Sequence, residues 1–147
     1  MANLAFNAGR HNACVQAAAS SGWKIMLVAS YTPDKDHTVS TIAASEIAST
    51  TGYTAGFGNR LTPGSVAATA QDDTNDRAGI DCADVVVANL GVPAGVNASH
   101  AVFIREITND AGSKAYAVIE LNGGSNLVLN GGSFTLTINA RGFFELG

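Results

Sequence analysis

Charge is scarce in this chain. Only 14% of its 147 residues are Asp, Glu, Lys or Arg, against a usual share of about a quarter, while 46% are hydrophobic. Lys and Arg number 8 against 12 Asp and Glu, giving a net charge of −4, and the basic residues are scattered. A protein that binds by neutralising phosphates needs them clustered, so nucleic acid is not an expected partner. Long hydrophobic runs are also missing. The longest, Ile25 to Ala29, falls far short of the ~20 residues that span a bilayer. The first residues, Met1-Ala2-Asn3-Leu4-Ala5-Phe6, show no basic segment followed by an apolar one, so neither a secretory leader nor membrane insertion is expected. Cysteine is nearly absent. Cys14 and Cys82 match no CxxC metal or redox spacing and read as small buried apolar residues rather than a disulfide.

What is present suits one globular domain, because a chain of ~150 residues hides roughly 70% of its unfolded surface. The Ala-rich segment Asn7 to Ala19 predicts a short helix stopped by Ser20-Ser21-Gly22. Its apolar positions are mostly Ala, so residues 1–22 are expected to form an arm or short helix reaching a neighbour, with residues 23–147 as a single β-rich domain. Trp23 to Ala29 has the length of a buried strand, closed by Tyr31-Thr32-Pro33-Asp34. Ile42, Ala43, Ala44 and Ile47 fit one helical turn. Short strands follow at Val66–Ala70, Ala78–Cys82 and Val85–Ala88, with a polar turn from Gln71 to Arg77. His100–Ile107 and Lys114–Leu121 form a hairpin pattern around Asn109–Ser113. Asn122-Gly123-Gly124-Ser125 recurs as Asn130-Gly131-Gly132-Ser133 and brackets a strand at Leu127–Leu129. Phe134 to Asn139 alternates strictly between apolar and polar residues. Arg141-Gly142 then turns the chain into Phe143–Leu146. Many short strands separated by turn residues predict a mainly β fold, an antiparallel β-sandwich or barrel.

Residues able to do chemistry are few. Asp34-Lys35-Asp36-His37 groups two carboxylates and an imidazole, but Lys35 sits where a cation would, so a solvated turn is the favoured reading over a metal loop. Asp72-Asp73-Thr74-Asn75-Asp76 reads as a polar turn capped by its own side chains. His11, His37 and His100 neighbour no nucleophile elbow and no suitably placed cysteine. Gly56-Phe57-Gly58 lacks the Lys and following helix of a phosphate loop. Asn97-Ala98-Ser99 matches a glycosylation sequon in a small-residue loop. Tyr31, Tyr53 and Phe57 are candidates for a carbohydrate platform, and Asp34, Asp36 and Glu46 for a hydrolase cleft, yet core or interface packing is the commoner use of such aromatics. No catalytic, cofactor-binding or metal-ligating residue is therefore assigned, and no cofactor is expected.

The order of several motifs carries a resemblance. Lys24-Ile25-Met26-Leu27, then Tyr31-Thr32-Pro33-Asp34 with Asp36-His37, then Thr51-Gly52-Tyr53-Thr54-Ala55-Gly56 resemble a family of small tailed-bacteriophage virion structural proteins. Asp81-Cys82-Ala83-Asp84-Val85 and the closing Phe134 to Phe143 extend it, so that it covers residues 23 to 147. Phe57 and Val85-Val86-Val87-Ala88 depart from the family pattern, which often has Gly and an aromatic at those places. The resemblance implies a capsid cement or decoration protein on the capsid exterior, with the major capsid protein and copies of itself, as a trimer or dimer, for partners. It implies no enzyme activity and transfers no catalytic residue. Tail, neck or fibre-associated modules, some of them carbohydrate-binding, are similar in kind and form the alternative.

Overall fold

The computed structural model describes residues 6–91 and 96–146. Two short helices and ten strands follow one another as α1 (Asn7–Ala18), β1 (Trp23–Val28), α2 (Val39–Ala43), β2 (Ala67–Ala68), β3 (Ala78–Asp81), β4 (Val85–Val87), β5 (Val96–Ala98), β6 (His100–Arg105), β7 (Lys114–Glu120), β8 (Leu127–Leu129), β9 (Phe134–Leu136) and β10 (Phe144–Leu146). All the strand pairs among the described residues are antiparallel. They make two three-stranded sheets, β1-β6-β7 and β10-β3-β2, and two ribbons, β4-β9 and β5-β8. The sheets do not close into a barrel, so of the two expected architectures the sandwich-like one is observed.

The β1-β6 pair explains the unbroken apolar text of Trp23 to Val28. Alternate residues of a strand face opposite sides, and both sides are covered here. On one side Ile25, Leu27, Ala101 and Phe103 join the main core with Ile80, Val87, Leu129 and Leu136. On the other, Met26, Val28, Val102 and Ile104 pack under Tyr31, Val39 and Ile42. A strand buried on two faces has no need of polar alternation.

Helix α1 belongs to this packing. Cys14 is fully buried in the main core with Ala18, and the helix lies on β2 and β3. The small side chains that suggested a weak helix are what permit that close approach. At its N-terminal end Asn7 Nδ2 donates to Asp73 and Asp76, and Arg10 Nη1 donates to the Asp76 carbonyl. Of the two forms expected for residues 1–22, an arm or a short helix, the helix is observed over residues 7–18, where it docks on its own domain; residues 1–5 lie outside the described set. Gly22 ends the segment at φ +91°, with its carbonyl accepting from Glu106 N–H at 2.7 Å. A Cβ at that position would run into the Glu106 carbonyl, so the turn requires glycine.

Both cysteines are free and buried, in line with the sequence reading. Burial raises the Cys14 thiol pKa. Burial, then the charges of Asp81 and Asp84, push Cys82 up to about 11, which leaves both thiols protonated and unreactive at neutral pH.

Candidate functional site

After β1 the chain turns at Ser30, in the left-handed region at φ 50°, and folds back over the second face of the β1-β6-β7 sheet. Thr38 starts α2 by accepting a hydrogen bond from Thr41 N–H on its hydroxyl, at 3.3 Å. The helix is only five residues long, so Val39 and Ile42 cover β1 and β6 but leave β7 uncovered. A cleft of about 350 Å³ opens there, with Tyr31, Asp34 and His37 on one wall and Ala115 to Val118 on the other. Ile42 and Val102 also line it, and Val118 is 40% exposed. Ala115, paired with Ile104 on this face of the sheet, leaves space that a larger side chain would fill.

The polar wall is organised by local bonds. The Tyr31 hydroxyl and His37 Nδ1 share a hydrogen bond of 2.9 Å, and His100 meets the Tyr31 ring edge-on. Burial raises the Tyr31 phenol pKa, so at neutral pH the hydroxyl keeps its proton. Asp34 Oδ1 accepts from Asp36 N–H at 2.9 Å, an Asx turn. Lys35 pairs with Asp36 at 3.2 Å with both side chains in solvent, where such pairs contribute little. The acidic cluster that drew attention in sequence is therefore three separate devices, a turn cap, a solvated pair and a tyrosine partner. Among the described residues no group of His, Cys, Asp or Glu is gathered as a metal set.

The other candidate groupings are not assembled. Tyr53 is 2% exposed, donates to Glu46 Oε1 at 2.6 Å and accepts from Leu27 N–H at 3.2 Å. It is a core residue, so a sugar platform of Tyr31, Tyr53 and Phe57 does not form; Phe57 alone is substantially exposed. Glu46 faces Arg60 rather than Asp34 and Asp36, which dissolves the hydrolase set. Asp72 caps its turn, accepting from Thr74 and Asn75 N–H, from Asn75 Nδ2 and from Arg77 Nε. The Asn75 side-chain bond and then Arg77 lower its pKa to about 2. In the sequon, Ala98 lies in β5, paired with β8, a strand that the small-residue loop reading missed. Ser99 is 1% exposed and its hydroxyl is hydrogen-bonded to His100 Nδ1 at 2.8 Å.

The grouping that sequence reasoning missed is built on Arg60. Its side chain is fully buried and all five N–H donors are used. Nε and Nη2 reach the two oxygens of Glu46 at 2.9 and 2.8 Å, Nη1 reaches Glu106 Oε1 at 2.9 Å, and Nη1 and Nη2 clasp Asp110 at 2.7 and 3.0 Å. Glu46 Oε1 also accepts from Gly56 N–H and Glu106 Oε2 from Gly58 N–H. One guanidinium thus fastens the 46–60 loop to the end of β6 and to the β6-β7 turn. Burial by itself would raise the Glu46 pKa, but the bonds from Arg60, Tyr53 and Gly56 outweigh it and hold it below the ordinary carboxylate value. The partners lie 14, 46 and 50 positions away, so no local pattern announces the cluster.

No family model, curated protein or solved structure matches the chain. Among the described residues no helix is long and apolar enough to cross a membrane.

Proposed function

We propose that the protein is a bacteriophage virion structural protein of the capsid cement or decoration kind. It acts by covering area on neighbouring subunits, with the major capsid protein and further copies of itself as partners on the capsid exterior. The observation that carries this reading is the bare strip of β7 beside the cleft, where the cover over the β1-β6-β7 sheet runs out. Exposed Val118, Ile107, Val86 and Val128 supply apolar contact on a chain with little charge, and interface cores are depleted in charge. The motif order over residues 23–147 supports the virion setting. The Arg60 clasp suits the role mechanically, since a clip across subunit boundaries resists outward pressure only if its own loops are held. A specific contact of ~1,600 Å² in total is ordinary, and repetition by capsid symmetry makes modest affinities durable.

The Val118→Asp substitution tests the surface. Val118 is already 40% exposed, so its unfolding transition is expected to stay close to wild type. Co-sedimentation with particles lacking the protein is expected to weaken by about tenfold or more, because a carboxylate would be buried in an apolar contact without a partner. Undiminished binding by the folded variant would remove β7 from the interface.

A further inference from the structure

Two Asn-Gly-Gly turns flank β8, at Asn122-Gly123-Gly124 and Asn130-Gly131-Gly132. In sequence they are equivalent substrates for one spontaneous reaction, attack by the following main-chain nitrogen on the Asn side-chain carbonyl carbon, which a glycine leaves unobstructed. In the fold they are unequal. At the second turn the Gly131 N–H donates to the Leu90 carbonyl at 2.8 Å, and Leu90 N–H donates to the Gly132 carbonyl at 3.1 Å. Asn130 Oδ1 in turn accepts from Gly132 N–H at 3.1 Å. Nucleophile and target are both tied down. At the first turn Asn122 is exposed and lies in the left-handed region at φ 53°, followed by Gly123 at φ 60° and Gly124 at φ 78°. The Asn122 carbonyl accepts from Ser125 N–H at 3.1 Å, while its side-chain amide and the Gly123 N–H have no hydrogen-bond partner among the described residues.

We propose that Asn122 is a site of selective deamidation and isoaspartate formation, and that Asn130 is protected. The Gly123 nitrogen gives up its proton to solvent base and bonds to Asn122 Cγ. The bond from Cγ to the side-chain nitrogen breaks, and ammonia leaves with a proton from water. The resulting succinimide takes up one water at either carbonyl and opens to aspartate or isoaspartate. The product sets a new carboxylate two positions beyond Glu120, just past the end of the strand that walls the cleft, and the isoaspartate form adds a carbon to the main chain of the β7-β8 turn.

The test is a time course of the folded full-length protein at mildly alkaline pH, read by peptide-mapping mass spectrometry, beside the same chain unfolded in urea. In the folded protein the amide-to-acid mass gain at Asn122 is expected to run about tenfold or more ahead of that at Asn130, the factor two hydrogen bonds of ordinary net strength impose when they must open first. In urea the two turns should react at comparable rates. An Asn122→Gly variant, which keeps the positive φ accessible, should lose the acidic species that wild type accumulates on ion exchange. Equal rates in the folded protein, faster conversion at Asn130, or an inert Asn122 in a chain that reacts when unfolded would each overturn the assignment.

Discussion

Replacing Arg60 with Met is expected to lower the unfolding free energy by about 3–5 kcal/mol, measured by urea denaturation at neutral pH. The side chain removed is fully buried and is the partner of three carboxylates, of which Glu46 and Glu106 are themselves 8% and 5% exposed. Breaking a buried pair from one side leaves charge without compensation, and that penalty exceeds the net strength of the intact pair. Arg60→Lys keeps the charge but loses the planar fork that reaches Glu46 and Asp110 with two nitrogens each, so it should fall between wild type and Met. Glu46 of the same cluster contributes to the acid sensitivity of the wild-type fold. Because the Glu46 pKa is lowered on folding, its stabilisation is fully present above the unfolded value of about 4.3 and is lost as pH falls through the lowered folded one. The urea midpoint should be flat from neutrality to about pH 5 and decline below about pH 4. In Arg60→Met the buried Glu46 loses the bonds from Arg60 that help to hold its pKa down, so the deficit relative to wild type should shrink as pH falls. A Met variant within about 1 kcal/mol of wild type would mean that the cluster is solvated and contributes like a surface pair.

Phe103→Ala is the second large expected effect, a loss of about 3–5 kcal/mol. Phe103 is fully buried on β6 and stacks on Phe143, with ring centroids 4.1 Å apart and planes 9° from parallel. Phe143 in turn meets Trp23 edge-on, so one ring joins the central sheet to the chain entering β10. Truncation leaves a cavity whose walls are strands paired on both sides of β6 and unable to collapse into it. Phe103→Leu retains most of the volume and should lose less than half as much. Against a total stability of 5–15 kcal/mol for an ordinary domain, either Arg60→Met or Phe103→Ala removes a large share.

The strands were readable where burial has a local signature. Trp23 to Ala29 was expected as a buried strand and forms β1 through Val28. The Lys114 strand, its partner His100–Ile107 and the intervening turn appear as the β6-β7 hairpin. The alternation of Phe134 to Asn139 persists in burial out to Ile138, yet β9 ends at Leu136. Its partner β4 is only three residues long, and beyond it the Ile138 N–H turns to the Asp84 side chain at 2.8 Å. Strand β5 was missed because Val96 to Ala98 has neither length nor alternation and exists through its pairing with β8. The same distinction separates the groupings of polar residues. Asp34 and Asp72 cap turns within three residues of themselves and could be read locally, whereas Arg60 finds its partners across the fold. The cleft was invisible for a related reason, since it is defined by where a five-residue helix stops short of a strand far along the chain.

Purified particles that carry the protein offer the most direct test of its proposed structural role, by quantitative mass spectrometry of copy number against the major capsid protein. A fixed ratio set by the shell's symmetry is predicted. A small fixed number per particle would move the protein to the neck or tail. Absence from assembled particles, or turnover of a substrate by the isolated protein, would contradict a role based on covering its neighbours.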